Sequence, residues 1–96
     1  MARKILRLRI SGWVQGVGFR AFVADEAETR GLEGWVRNRA DGSVEAVIAG
    51  ESEIVDEMIE VCRCGPRGSR VENVAIGGAS ESDLGGQSGF RILRTM

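Results

Sequence analysis

Between Ile5 and Val23 the hydrophobic period of this chain changes. The change falls on Gly12-Trp13-Val14-Gln15-Gly16-Val17-Gly18-Phe19-Arg20. Upstream, Leu6, Leu8 and Ile10 alternate with Arg7 and Arg9, as in a strand with one buried face. Downstream, Phe19, Phe22, Val23 and Ala27 recur at helical spacing, with Asp25, Glu26 and Glu28 on the other side. A strand must therefore hand over to a helix through a short glycine-rich loop. Glycine admits tight turns and close approach to the backbone, and amide donors converging on a helix N-terminus favour an anion. Arg20 adds a planar, permanently charged fork that matches phosphate oxygens in pairs. The stretch reads as a small phosphate cradle holding one guanidinium. A turn that only redirects the chain, with Arg20 a solvated first-turn residue, stays open at this point.

Gly16-Val17-Gly18-Phe19-Arg20-Ala21 also fits a loose dinucleotide fingerprint. That fingerprint needs a parallel strand after the helix and an acidic residue about 20 positions on. Instead, a strand over 32–38 leads into the turn Asp41-Gly42 and a returning strand over 43–49, an antiparallel pair. The dinucleotide reading is set aside.

The rest of the chain follows the same logic. A helix from about Phe19 to Arg30 ends at Gly31 in a Schellman-type stop, with Leu32 folding back on Ala27. Ser52 is expected to cap a second helix, whose apolar stripe is Ile54, Val55, Met58, Ile59 and Cys62. Gly65-Pro66 ends it, and Val71–Ile76 forms a fourth strand. Residues 77–89, rich in Gly and Ser, read as a mobile surface loop, and Phe90, Ile92 and Leu93 as a short final strand. The order is βαββαβ plus a strand. The fold class expected is α+β, a ferredoxin-like sandwich: one antiparallel sheet with two helices on one face and a short extra C-terminal strand. The 96 residues make a single domain, 1–96.

Charge and composition narrow the chemistry. A net charge of −1 argues against nucleic acid or an anionic membrane as partner. The basic segment 1–9 has no apolar signal core, and no apolar stretch is long enough to span a bilayer, so a cytoplasmic protein is expected. Nothing in the sequence suggests a large apolar interface, and a monomer is expected. Histidine is absent, which removes Ser-His triads, Cys-His pairs and histidine zinc sites. Cys62 and Cys64 alone complete no metal site and are expected as one buried thiol and one exposed. Trp35 and Val47 read as packing on the outer face of the sheet, Asp41-Gly42 as a turn, Glu45 as a solvated or paired strand carboxylate, and the N-terminal arginines as a solvated face.

Two stretches together carry a resemblance. Gly12-x-Val14-Gln15-Gly16-Val17-x-Phe19-Arg20, followed by Gly34-x-Val36-x-Asn38-x-x-Asp41-Gly42-x-Val44-Glu45, is similar to the two-part signature of the acylphosphatases. Gly65-Pro66, Val71, Val74 and Phe90-x-Ile92 extend the likeness over almost the whole chain. Trp13, Arg67 and the ending Leu93-Arg94-Thr95-Met96 depart from the family pattern.

The resemblance implies hydrolysis of acyl phosphates, small-molecule carboxyl–phosphate anhydrides, to a carboxylate and inorganic phosphate, with no metal and no cofactor. It assigns Arg20 and the backbone amides of Gln15, Gly16, Val17, Gly18 and Phe19 to the phosphoryl group, and Asn38 to the attacking water. It also implies that the substrate's own phosphate accepts the proton. The alternatives are a non-catalytic or carbamoyl-phosphate-handling module of the same fold, or a ferredoxin-like RNA-binding domain. The latter needs aromatics on the third strand, and Ser43–Ile48 has none.

Overall fold

A computed structural model describes residues 2–86 and 88–96. Strand β1 (Arg3–Trp13) leads through residues 14–18 into helix α1 (Phe19–Thr29). Strands β2 (Glu33–Asn38) and β3 (Val44–Glu51) form the hairpin, followed by α2 (Ser52–Cys64), β4 (Arg70–Gly78), a 3₁₀ turn (Glu81–Leu84) and β5 (Phe90–Ile92). The sheet order is β4-β1-β3-β2-β5. The first four strands pair antiparallel, as a ferredoxin-like sandwich requires. The short fifth strand joins β2 in parallel, which makes the whole sheet mixed.

Alternation along the strands decides which face is covered. Leu8 and Ile10, Val36, and Val44, Ala46 and Ile48 point to the helices. They meet Val23 and Ala27 of α1 and Val55, Met58 and Cys62 of α2 in the main core. Both helices thus lie on one face. On the other, Trp35, Val47, Ala49 and Leu84 form a second, smaller cluster.

The end of α1 follows the sequence closely. Gly31 has φ 69, and Leu32 N donates to Ala27 O at 2.9 Å while Gly31 N donates to Glu28 O at 3.0 Å. This pair of bonds defines the Schellman stop.

Four expectations need correction. Ser52 is the first helical residue of α2 and not its cap; Glu51 precedes the helix and makes no side-chain cap bond. The reason is that β3 runs unbroken to Glu51 opposite Arg3, and the Ser52 amide donates to Ala2 O at 2.8 Å. Strand β1 extends through Gly12 and Trp13 by a bulge at Ser11/Gly12, so the glycine loop begins only at Val14.

Third, the stretch 77–89 is not simply a surface loop. Gly77 and Gly78 belong to β4, and Leu84 is buried. Trp35 Nε1 donates to Asp83 O at 2.8 Å, since a buried indole N–H must find an acceptor. Gln87 of that stretch lies outside the described residues.

The N-terminal arginines are also more than a solvated face. Arg7 reaches Glu45 at 2.6 Å and Asp83 at 3.1 Å, Arg9 reaches Asp41 at 3.0 Å, and Arg3 bonds Glu33 and Glu81. Cys62 is buried and Cys64 exposed, as expected. Burial pushes the Cys62 thiol up to about 12.

Candidate active site

The loop over 14–18 is shaped by two left-handed glycines. Gly16 and Gly18 have φ 76 and 77, and a Cβ at either would meet open space. Backbone conformation, and not crowding, is what calls for glycine there. Gly18 caps α1 without a side-chain bond, and the helix's first turn carries no acidic residue. The first intrahelical bond runs from Phe22 N to Gly18 O at 3.0 Å. The amides of Phe19, Arg20 and Ala21 consequently have no intrahelical acceptor, and the positive end of the helix dipole is left for an anion.

Gly12, the first residue of the motif, serves a different purpose. It has φ 124, and a Cβ there would overlap the Arg70 carbonyl on β4. Gly34, first residue of the second motif, is its counterpart: φ 139, with the Val47 carbonyl in the way. Both permit close approach of a neighbouring strand, Gly12 at the bulge of β1 and Gly34 within the unbroken β2–β3 ladder.

Asn38 is the last residue of β2 and shares the parity of Val36, so it faces the helix side. There it meets the glycine loop. Val14, Gly16, Gly18, Phe19, Arg20, Ala21, Asn38 and Ile92 line one cleft of about 280 Å³. Val14 and Phe19 are buried and form its floor, while Ile92 of β5 gives a half-exposed apolar flank. Among the described residues Arg20 has no ion-pair partner, as is also true of Arg67, Arg70, Arg91 and Arg94, whereas Arg3, Arg7, Arg9, Arg30, Arg37, Arg39 and Arg63 are paired.

Of the residues expected in the site, Gly16, Gly18, Phe19, Arg20 and Asn38 come together at the cleft. Gln15 and Val17 belong to the same loop but do not line it. Val17 packs against the main core. The Gln15 side chain turns to the β2–β3 turn, donating from Nε2 to Arg39 O at 2.8 Å and Ser43 O at 2.9 Å. Sequence reasoning left Val14, Ala21 and Ile92 out of the site. Ile92 was legible only as a residue of the last strand, because its place beside Asn38 depends on the parallel pairing Val36↔Ile92.

Behind Asn38, on the opposite face of the sheet, sits Glu45. It is 4% exposed, and it is the paired alternative of the sequence reading, not the solvated one. Its Oε1 accepts from Arg37 Nε at 3.0 Å and Arg39 Nη1 at 3.2 Å, and its Oε2 from Arg7. Arg37 also stacks 4.7 Å over the Trp35 ring. Burial pushes the Glu45 carboxyl up, but the hydrogen bonds from Arg7 and Arg37, with the charges of Arg37 and Arg39, outweigh it and hold the group below its ordinary value. The two neighbours of Asn38 in sequence are thereby fixed by one carboxylate. Asp41 shapes the turn: its Oδ1 accepts from the Ser43 amide at 2.9 Å and hydroxyl at 2.6 Å.

Known proteins resemble this chain in sequence and fold. The family model for acylphosphatase matches residues 6–92. An acylphosphatase of Rhodopseudomonas palustris (strain BisB5) is 46% identical over the full length of both chains. One of Azorhizobium caulinodans is 52% identical over 95% of this chain and 96% of its own. The crystal structure of acylphosphatase from Bacillus subtilis, 37% identical, superposes with a TM-score of 0.85 over 93% of this chain and 97% of that one. With both halves of the signature meeting at a single cleft, and relatives matched from end to end, this chain belongs to the acylphosphatase family.

Proposed function

We propose that this chain hydrolyses acyl phosphates with groups of its own, Arg20 and the loop amides holding the phosphoryl oxygens and Asn38 orienting the water. One observation carries the reading. Arg20 from the start of α1 and Asn38 from the end of β2 line the same cleft as Gly16 and Gly18. Water adds to phosphorus, the bond from phosphorus to the bridging oxygen breaks, and the acyl group departs as a carboxylate. One proton of the water passes to a phosphoryl oxygen, giving inorganic phosphate. A carboxylate needs little protonation to leave, so charge stabilisation and water positioning carry the reaction. Asn38 can hold a water molecule but cannot take its proton, which agrees with the substrate accepting it.

The same reading extends to partners. The substrate is a small acyl phosphate, the chain acts as a cytoplasmic monomer, and no nucleic acid or membrane takes part. The net charge of −1 supports the exclusion of nucleic acid. No helix among the described residues is long and apolar enough to cross a membrane. The reaction is metal-independent, the cation role falling to Arg20. The test is phosphate release from benzoyl phosphate with and without EDTA, beside p-nitrophenyl phosphate. Equal rates with and without chelator, and a far slower monoester, are expected. Loss of activity in EDTA that one divalent ion restores, or comparable rates on the two substrates, would count against the reading.

A further inference from the structure

The two halves of the cleft come from segments far apart in sequence, the loop over 14–18 and the end of β2. One side chain ties them directly. Gln15 Nε2 donates to Arg39 O at 2.8 Å and to Ser43 O at 2.9 Å. Both partners are carbonyls, so only the amide nitrogen can face them, and the orientation of the group follows from its chemistry. These carbonyls are the two ends of the turn that follows Asn38. Arg39 N donates to Ser43 O at 2.8 Å, and Gly42 N to Arg39 O at 3.1 Å. Each oxygen accepts one bond from within the turn and one from Gln15, which uses both of its lone pairs. The turn is closed by its own bonds and by Asp41; the bonds from Gln15 dock it on the loop.

We infer that Gln15 is a positioning residue whose side chain sets the distance between the phosphate cradle and Asn38. The inference rests on the reading of Asn38 as the group that orients water. Arg39 follows Asn38 directly, so a shift of the Arg39 carbonyl moves the end of β2 relative to the loop. Reactions that depend on placement lose about a hundredfold for a displacement near 1 Å. Binding of phosphate to the loop amides and Arg20 needs no contribution from the turn. Gln15 therefore acts on turnover and leaves phosphate affinity in place.

A double-mutant cycle tests this. Turnover and inhibition by inorganic phosphate are measured for the parent, Gln15→Met, Asn38→Ala and the double variant. Methionine keeps the length of the side chain and removes both donors. Gln15→Met is expected to lower kcat about tenfold to a hundredfold, with phosphate inhibition within about threefold of the parent. In the Asn38→Ala background the same change should cost no more than about twofold, because nothing is left to position. Full additivity of the two losses overturns the inference, as does a drop in phosphate affinity matching the drop in turnover.

Should Gln15→Met fail to fold, Gln15→Asn repeats the cycle with the donors retained on an arm shorter by one methylene. The same coupling is then required. If Asn38→Ala turns over like the parent, the reading of Asn38 falls and this inference with it. If Asn38→Ala is impaired while the Gln15 variant turns over like the parent, only the inference falls.

Discussion

Replacing Arg20 by lysine keeps one positive charge in the cleft and removes the planar pair of donors. Lysine binds phosphate as a point charge and cannot reproduce a two-pronged contact. A loss of about two to three powers of ten in kcat/KM is expected, as for other preorganised donors. Kinetics on benzoyl phosphate check it, and an Arg20→Lys variant within about twofold of the parent would reduce Arg20 to a surface charge. Of the two groups proposed for the chemistry, Arg20 could be named from the local pattern of the glycine loop, and Asn38 only through the family resemblance. The partners of Gln15 and Glu45 were not. Gln15 meets carbonyls at positions 39 and 43, and Glu45 gathers arginines from β1, β2 and the turn. Strand parity says which face such a residue takes, but register across strands decides what it touches.

The glycines of the two motifs divide at the level of elements. Gly12 and Gly34 let β1 approach β4 and β2 approach β3, whereas Gly16 and Gly18 shape the loop over 14–18 and face open space. Gly12→Ala and Gly34→Ala are each expected to cost about 2–3 kcal/mol of stability through positive φ and backbone overlap. Gly16→Ala and Gly18→Ala strain the backbone by about 1–2 kcal/mol each and weaken phosphate inhibition disproportionately. Denaturant unfolding measured beside phosphate inhibition separates the two classes; a uniform effect across all four would contradict the division. Helices and strands were legible from periodicity to within a few residues. The segment after β4 was misread because glycine and serine signal a loop by composition. What pins the segment is the need of one buried indole N–H for an acceptor, supplied by Asp83 O. The parallel pairing of β5 was equally hidden, since three residues carry too little pattern to fix a direction.

For the molecule as a whole, acid stability follows from its carboxylates. Asp41, Glu45 and Asp83 all titrate below their ordinary values of 3.8 for aspartate and 4.5 for glutamate. Asp41 is held down first by the Ser43 hydroxyl and Asp83 by the Ser80 amide. The stability they contribute is fully present above the unfolded values and is lost as pH falls through the folded ones. The thermal midpoint should therefore be level from about pH 8 to 5 and drop below about pH 4.5. Glu45→Gln, which cannot ionise, should be less stable at pH 7 and fall less steeply on acidification. A parent curve that does not fall on acidification, or a variant curve parallel to it, would remove Glu45 from this account.

The sheet order also bears on how such a chain is made. Strand β1 lies inside the sheet, between β4 and β3, while the loop, α1 and Asn38 are all encoded before β3 ends at Glu51. Nearly every chemical group of the cleft therefore leaves the ribosome in the first half of the chain. The second half supplies the helix that seals the core over Leu8 and Ile48 and the strand that pairs the open side of β1. A nascent chain halted after Glu51 would hold its reactive groups beside an unpaired strand edge, the kind of surface on which chains associate with one another.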